Sequence, residues 1–216
     1  MKRSHKVAGI VAFSVLGFVV VFGLYVLIAA KVVDHHYVVD LSHSHTFTIE
    51  MPFVPLRKIL VQTNAAREIM NAGEHSKLIS KTEVHREGHV NHILAPFQSW
   101  EGSEVNALSV QISDPYIGKR TAAFTQNVSV TPGSIHSVIK LNKPEGPLLG
   151  YTVTTNIGGE GKASKFETTL GMKIDTPSPW LTHWFARMRV RSTLRHTLRA
   201  QEEQIKAAVE KHRGQF

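Results

Sequence analysis

A chain of 216 residues, 42% of them hydrophobic, is long enough for one domain with a substantial core, and the absence of cysteine excludes thiol catalysis and disulfide bonds. The formal charge of +8 is concentrated at the two ends, because residues 31–179 carry 14 basic and 14 acidic side chains. Nucleic-acid-binding domains usually carry basic and aromatic residues on their globular face, so this distribution argues against a nucleic-acid partner.

The first predicted element is a transmembrane helix over residues 7–30, which contain no charged side chain. At about 1.5 Å per residue this helix is roughly 36 Å long, enough to cross a hydrocarbon core of about 30 Å. Lys2, Arg3 and Lys6 precede it without an acid, which predicts a cytoplasmic tail over residues 1–6 and an extracytoplasmic, in bacteria periplasmic, C-terminal domain. A cleaved signal peptide is the alternative, but its apolar region normally spans only about 7–15 residues. We therefore expect a single-pass signal anchor.

A short linker is expected over residues 31–44, running into the first strand. Histidines at positions 35, 36, 43 and 45 cluster in this linker and directly after it, just outside the predicted membrane span. Their unperturbed pKa near 6.5 would suit an acid sensor, although a solvated linker explains them more simply.

The domain over residues 45–212 is predicted to consist mainly of strands, on the evidence of alternating apolar residues between Gly and Pro turn signals. The predicted elements in chain order are a strand at 46–51, a helix at 56–72, a hairpin of strands 77–86 and 89–94 turning at Glu87-Gly88, and strands at 107–112, 121–130, 135–141, 149–157 and 166–174.

A long helix from about Trp180 to Lys211 is predicted to close the domain. Apolar residues recur at helical spacing along it, and arginines occupy the other faces. We expect its aromatic first half to be buried in the core. The basic face either is simply solvated or docks on a membrane or an acidic partner, for which the candidates are Arg187, Arg191, Arg195 and Arg199.

This order of elements resembles the START-like superfamily, also called the SRPBCC or polyketide cyclase/dehydrase group. The resemblance is carried by HTFTIEMPFVPLRKIL at 45–60, HSKLISKTEV at 75–84, the paired strands GSIHSVIKLN and GPLLGYTVTTNIGG, and the terminal WLTHWFARMRVRSTLRHTL. It implies an α+β helix-grip fold, in which a curved antiparallel sheet wraps around the C-terminal helix and leaves an apolar cavity between them. Members of the group mostly bind lipids, sterols, quinones or polyketide-like molecules, and a minority are enzymes. The anchor is a departure, since most relatives are soluble.

Inward-facing aromatic and aliphatic side chains are the candidates for lining this cavity, although any sheet–helix core needs such residues to fill it. The candidates are Phe47, Phe97, Phe124, Tyr151, Phe166, Leu170, Trp184 and Met188.

No residue pattern indicates catalysis or metal binding. His85, His89 and His92 would share a face only on a helix, whereas a hairpin is predicted there, and no HExxH motif occurs. The loop from Asn156 to Ala163 lacks the first Gly and the Ser or Thr of a phosphate loop, and no GxSxG elbow is present. We therefore expect no metal, no cofactor and no enzymatic activity.

Two functions lead on this basis, and an enzyme of the cyclase type, which would need a polar pair inside the cavity, comes third. The first is a membrane-anchored extracytoplasmic domain that binds an apolar, lipid- or isoprenoid-like ligand in a sheet–helix cavity, with the lipid bilayer as its other partner. The alternative is a non-catalytic accessory or assembly subunit of a larger membrane protein complex, which the anchor, the basic helix and the absence of catalytic residues would equally suit.

Overall fold

A seven-stranded antiparallel sheet and a long C-terminal helix make up the domain. The computed structural model describes residues 20–25, 28, 36–62, 76–90, 100–114 and 118–215. The strands are β1 (His36–Ile49), β2 (Ser76–Val90), β3 (Trp100–Asp114), β4 (Gly118–Val130), β5 (Ser134–Leu141), β6 (Leu148–Glu160) and β7 (Ala163–Pro177). The helices are α1 (Phe53–Gln62) and α2 (His183–His212), and short 3₁₀ turns flank α2 at Trp180–Thr182 and Arg213–Gln215.

The strand order is β1-β7-β6-β5-β4-β3-β2. Strands β2 to β7 therefore follow one another as a meander, and β1 pairs with the last strand instead of the second. Helix α2 lies mainly against β1 and β7, and α1 contacts α2, β6 and β7. This arrangement leaves β1 and β2 as the two edges of the sheet.

Two apolar clusters form the core between the sheet and the helices. The first lies towards the beginning of α2 and includes Val39, Leu108, Phe124, Leu148, Leu170, Val190, Leu194 and Leu198. The second joins α1 to the later turns of α2 and includes Phe47, Ile49, Leu56, Ile59, Phe166, Ile205 and Val209. Each inner strand contributes alternate residues, as a sheet with one covered face requires.

Strand β1 begins earlier than predicted. It pairs with β7 from His36↔Pro177 to Ile49↔Ser164, so residues 36–44, predicted as a linker, belong to the sheet. The apolar alternation that marks a half-buried strand is interrupted here because His43 and His45 occupy inward-facing positions, paired with Leu170 and Thr168.

The hairpin predicted at Glu87-Gly88 is not formed. Strand β2 continues through both residues, and Gly88 pairs with Gly102 of β3. A Cβ atom on Gly102, whose φ is +153°, would collide with the carbonyl oxygen of Glu87. These glycines therefore permit a close approach of two strands, not a chain reversal.

Helix α1 starts at Phe53, before the predicted position, and Pro55 lies in its first turn. Proline is tolerated there because the first backbone N–H groups of a helix have no partner within it. The predicted end of this helix, residues 63–72, lies outside the described residues.

The long C-terminal helix is confirmed, but its aromatic first half is not buried. Trp184 and Met188 are 56% and 53% exposed, which corrects the prediction that they lie in the core. The inward side of these turns is taken by His183, which stacks on the Tyr37 ring, and by Ala186 and Val190, which pack on the first cluster. Because these three residues recur at helical spacing, Trp184 and Met188 turn outwards.

In the described part of the chain, no helix has both the length and the apolar character needed to cross a bilayer. Of the predicted span 7–30, the structure describes residues 20–25 and 28, all helical, and the rest lies outside the described residues.

Candidate functional site

A row of polar side chains crosses the inner face of the sheet between the two apolar clusters. Strand pairing places these residues opposite one another, with one diagonal step between β4 and β5. We call this row the polar belt, and it consists of Asn106, Gln126, Ser137, Thr155, Thr168 and His45. Polar groups on the inner face of a helix-covered sheet are costly unless they are hydrogen-bonded, so the belt is the most informative feature of the interior.

Side-chain hydrogen bonds link members of the belt in two separate groups. Asn106 Nδ2 donates to Gln126 Oε1 at 3.4 Å, and Gln126 Nε2 donates to Ser137 Oγ at 3.5 Å. On the neighbouring strands, the hydroxyl oxygens of Thr155 and Thr168 lie 3.3 Å apart. These distances are long for hydrogen bonds, so the belt residues satisfy one another weakly.

Asn106 is the most deeply buried member of the belt, with 0% of its surface exposed. Its Nδ2 group donates, whereas its Oδ1 atom has no hydrogen-bond partner among the described residues. A buried acceptor left unpaired costs about 1–3 kcal/mol. The described residues therefore leave this buried acceptor unsatisfied, at a cost to the stability of the fold.

Glu104 fixes the orientation of this amide. Its carboxylate accepts a bond from Lys81 at 2.9 Å and hydrogen-bonds the Asn106 side chain. Burial raises the pKa of the Glu104 carboxyl, but the Lys81 and Asn106 hydrogen bonds and the charges of Lys81 and Arg86 outweigh it, so the pKa is lowered. Because the carboxylate needs a donor, the amide nitrogen of Asn106 faces Glu104 and its oxygen turns away.

The other end of the belt contacts helix α2. His45 Nε2 lies 2.6 Å from Glu202 Oε2, and Lys206 forms an ion pair with the same carboxylate. The pKa of Glu202 is lowered mainly by its hydrogen bond with Lys206, and next by the one with His45. The belt thus ties the β1 edge of the sheet to the middle of α2.

Apolar side chains next to the belt keep part of their surface uncovered. Val110, Ile112, Ile139 and Tyr151 are half-buried on the inner face and pack against the first apolar cluster. Burial raises the pKa of Tyr151 to about 12, and its ring meets Phe124 edge-on at 5.7 Å between centroids. These residues offer an apolar surface beside the acceptor of Asn106.

The predicted cavity residues divide into three groups. Phe124, Tyr151 and Leu170 belong to the first apolar cluster or pack on it. Phe47 and Phe166 stack on each other at 4.7 Å in the second cluster, on the far side of the belt. Trp184 and Met188 lie on the outer surface of α2, and Phe97 lies outside the described residues.

The four arginines predicted as a docking face, Arg187, Arg191, Arg195 and Arg199, are all exposed along α2. Among the residues that the structure describes, no three His, Asp or Glu side chains are grouped as a metal site requires.

Sequence reasoning missed the belt. Asn106 lies in the segment Glu104–Leu108, where it occupies the same strand phase as the buried Leu108. A polar residue in the inward phase of a strand was the signal that could have identified it. His45 lies at the boundary of the predicted linker. Because the predicted strand begins after it, the sequence pattern does not assign this histidine to the inner face.

No protein-family model matches the chain, and no curated protein does. Among solved structures, the di-domain ARO/CYC StfQ from the steffimycin biosynthetic pathway is similar at a TM-score of 0.50 and 13% identity, over 81% of this chain and 52% of that one. A protein from Thermus thermophilus is similar at a TM-score of 0.49 and 11% identity, over 79% of this chain and 98% of that one. The Zhui aromatase/cyclase from a Streptomyces species is similar at a TM-score of 0.48 and 11% identity, over 81% of this chain and 96% of that one. Together with its seven-stranded sheet and long closing helix, the likeness to StfQ shows that the domain has the α+β helix-grip fold.

Proposed function

We propose that the domain binds a mainly apolar molecule carrying one hydrogen-bond donor, held between the sheet and helix α2. The single observation that supports this most directly is the unpaired Oδ1 atom of the fully buried Asn106. An apolar ligand with a hydroxyl or similar donor would satisfy this acceptor.

The chemistry around Asn106 supports an elongated, amphipathic ligand. Half-buried apolar side chains, including Val110 and Tyr151, lie on one side of the belt and would contact a hydrocarbon body. The belt itself offers acceptors and hydroxyl groups at one level of the interior. Lipids and isoprenoid alcohols combine these two properties, so they are the ligand classes we favour.

We further propose that residues 7–30 anchor this domain to a membrane, with the domain on the extracytoplasmic side. The uncharged run and the basic residues before it support this arrangement. An anchor would keep the binding domain next to the source of apolar ligands, which have low solubility in water.

Native mass spectrometry of the full chain, purified in mild detergent, tests ligand binding. We expect a co-purified apolar molecule that is retained by the wild-type protein and depleted in an Asn106→Leu variant. Asn127→Leu is the matched control, because Asn127 is exposed on the outer face of the same sheet.

Absence of any co-purified ligand, together with no saturable binding of added farnesol, would overturn the proposal. Equal retention by the Asn106 and Asn127 variants would instead contradict the role of the belt.

A further inference from the structure

Five large apolar side chains are exposed together where α2 begins. Trp180, Leu181, Trp184, Phe185 and Met188 are each at least 36% exposed, and we call them the aromatic patch. The rings of Trp184 and Phe185 stack at 3.5 Å between centroids. Contiguous exposed apolar residues of this size mark an interaction surface more often than chance exposure does.

The patch continues into a basic stripe along the same helix. Trp184, Met188, Arg191 and Arg195 recur at spacings of three and four residues, which places them on one side of α2. Between Trp180 and Gln201 the sequence contains five arginines and no acidic residue. Aromatic and apolar residues beside a run of arginines are typical of helices that lie at a membrane surface.

The patch also lies where the N-terminal segment joins the sheet. His36, the first residue of β1, pairs with Pro177, and the Tyr37 ring stacks on His183 at 3.7 Å between centroids. The predicted span ends at residue 30, and even fully extended the five residues that follow reach at most about 20 Å. If residues 7–30 cross the bilayer, the start of α2 is therefore held close to its surface.

We propose that the aromatic patch and the arginines of α2 form a docking surface for a bilayer that contains anionic lipids. The tryptophans lie at headgroup depth, as they commonly do in membrane proteins, and the arginines contact lipid phosphates. A second copy of this chain fits less well, because a two-fold interface would bring two acid-free arginine stripes together. This inference goes beyond ligand binding, and only its reach argument depends on the predicted span.

Tryptophan fluorescence of the full chain, reconstituted into vesicles with brominated acyl chains, tests the proposal. The chain has three tryptophans, so a Trp100→Phe variant reports from Trp180 and Trp184 alone. We expect strong quenching in vesicles of phosphatidylcholine with about one third phosphatidylglycerol, and clearly weaker quenching in phosphatidylcholine alone. Should Trp100→Phe not fold, the difference between wild type and a Trp180→Phe/Trp184→Phe variant gives the same signal.

Charge reversal tests the basic stripe. Arg191→Glu/Arg195→Glu should abolish the extra quenching produced by phosphatidylglycerol. The matched control is Lys140→Glu/Lys162→Glu, because both lysines are exposed, one on the outer sheet face and the other in the turn after β6. Circular dichroism melts verify that both variants fold.

Three results would overturn the proposal. The first is no quenching in either vesicle type. The second is equal quenching by neutral and anionic vesicles that the arginine reversal leaves unchanged. The third is a stable dimer or a co-purified protein that shields Trp184 from bromine, which would assign the patch to a protein partner. None of these results bears on ligand binding, which is measured separately.

Discussion

Replacing Asn106 by leucine is the sharpest probe of the interior, because it removes the unpaired acceptor while keeping the number and branching of the side-chain heavy atoms. In the unliganded protein the change removes the hydrogen bonds to Glu104 and Gln126, which lowers stability. It also removes the buried, unpaired Oδ1 atom, which raises stability. Each of these effects is worth about 1–3 kcal/mol, and they oppose one another. We therefore expect the free energy of unfolding to change by less than about 2 kcal/mol.

The effect on binding should be larger and specific to the ligand's donor. Farnesol has a hydroxyl that can donate to Asn106 Oδ1, whereas its methyl ether has none and would leave the acceptor unpaired. A penalty of about 1–3 kcal/mol corresponds to a preference for the alcohol of roughly 5- to 150-fold. In Asn106→Leu the acceptor is absent, so this preference should disappear.

The assay is displacement of the fluorescent fatty acid cis-parinaric acid from the full chain in lipid nanodiscs. Partitioning into lipid affects all variants equally, so the ratio of the two competitors' affinities is compared between the wild type, Asn106→Leu and the control Asn127→Leu. A wild-type protein that binds both competitors equally would refute the reasoning. So would an Asn106→Leu variant that keeps the wild-type preference.

Three further predictions concern stability. Folding lowers the pKa of Glu202, so the pairing of its carboxylate stabilises the fold at pH values above its ordinary pKa of 4.5. This stabilisation is lost as the pH falls through the lower pKa of the folded state. Urea titrations at several pH values should therefore show that Glu202→Gln loses less stability in acid than the wild type does. Folding raises the pKa of Tyr151 from 10.0 to about 12, so the wild type should lose stability as the pH rises across that interval. Thermal melts at alkaline pH should show a smaller loss of stability for Tyr151→Phe. An identical loss in both proteins would contradict a buried hydroxyl. Changing Leu194, which is 0% exposed, to alanine should lower the free energy of unfolding by about 3–5 kcal/mol, whereas the same change at the half-exposed Trp184 should lower it by well under half of that. Chemical denaturation of the two variants measures both losses. Equal losses would show that Trp184 lies in the core.

The fold could be predicted from sequence where one face of each strand is uniformly apolar. In β6 and β7, Val153 and Leu170 alternate with outward polar residues, and both strands were recognised from this period. The long closing helix was equally clear, since its apolar residues recur over many turns. In these elements, local pattern and tertiary environment give the same answer.

Prediction was wrong where tertiary contacts override local pattern. Glu87-Gly88 has the composition of a turn, but pairing with Gly102 on the neighbouring strand keeps it extended. The side of α2 that faces the core depends on how the helix crosses the sheet. Hydrophobicity alone predicts that Trp184 is buried, but it does not include this crossing. Asn106 became important only when cross-strand register placed it opposite Gln126. Neither helix orientation nor register is a property of a single segment.

The pairing of β1 with β7 has a consequence for how the chain acquires its structure during synthesis. His36 pairs with Pro177 and Ile49 with Ser164, so the first strand leaves the ribosome on the order of a hundred residues or more before its partner. Contacts of such sequence separation form slowly, because a long loop must close before they contribute. Until then, β1 has neither its sheet partner nor its contacts with α2. A chain interrupted before β7 would therefore present the inward residues of β1 to chaperones and proteases, and the domain becomes resistant to them only when its last elements are complete.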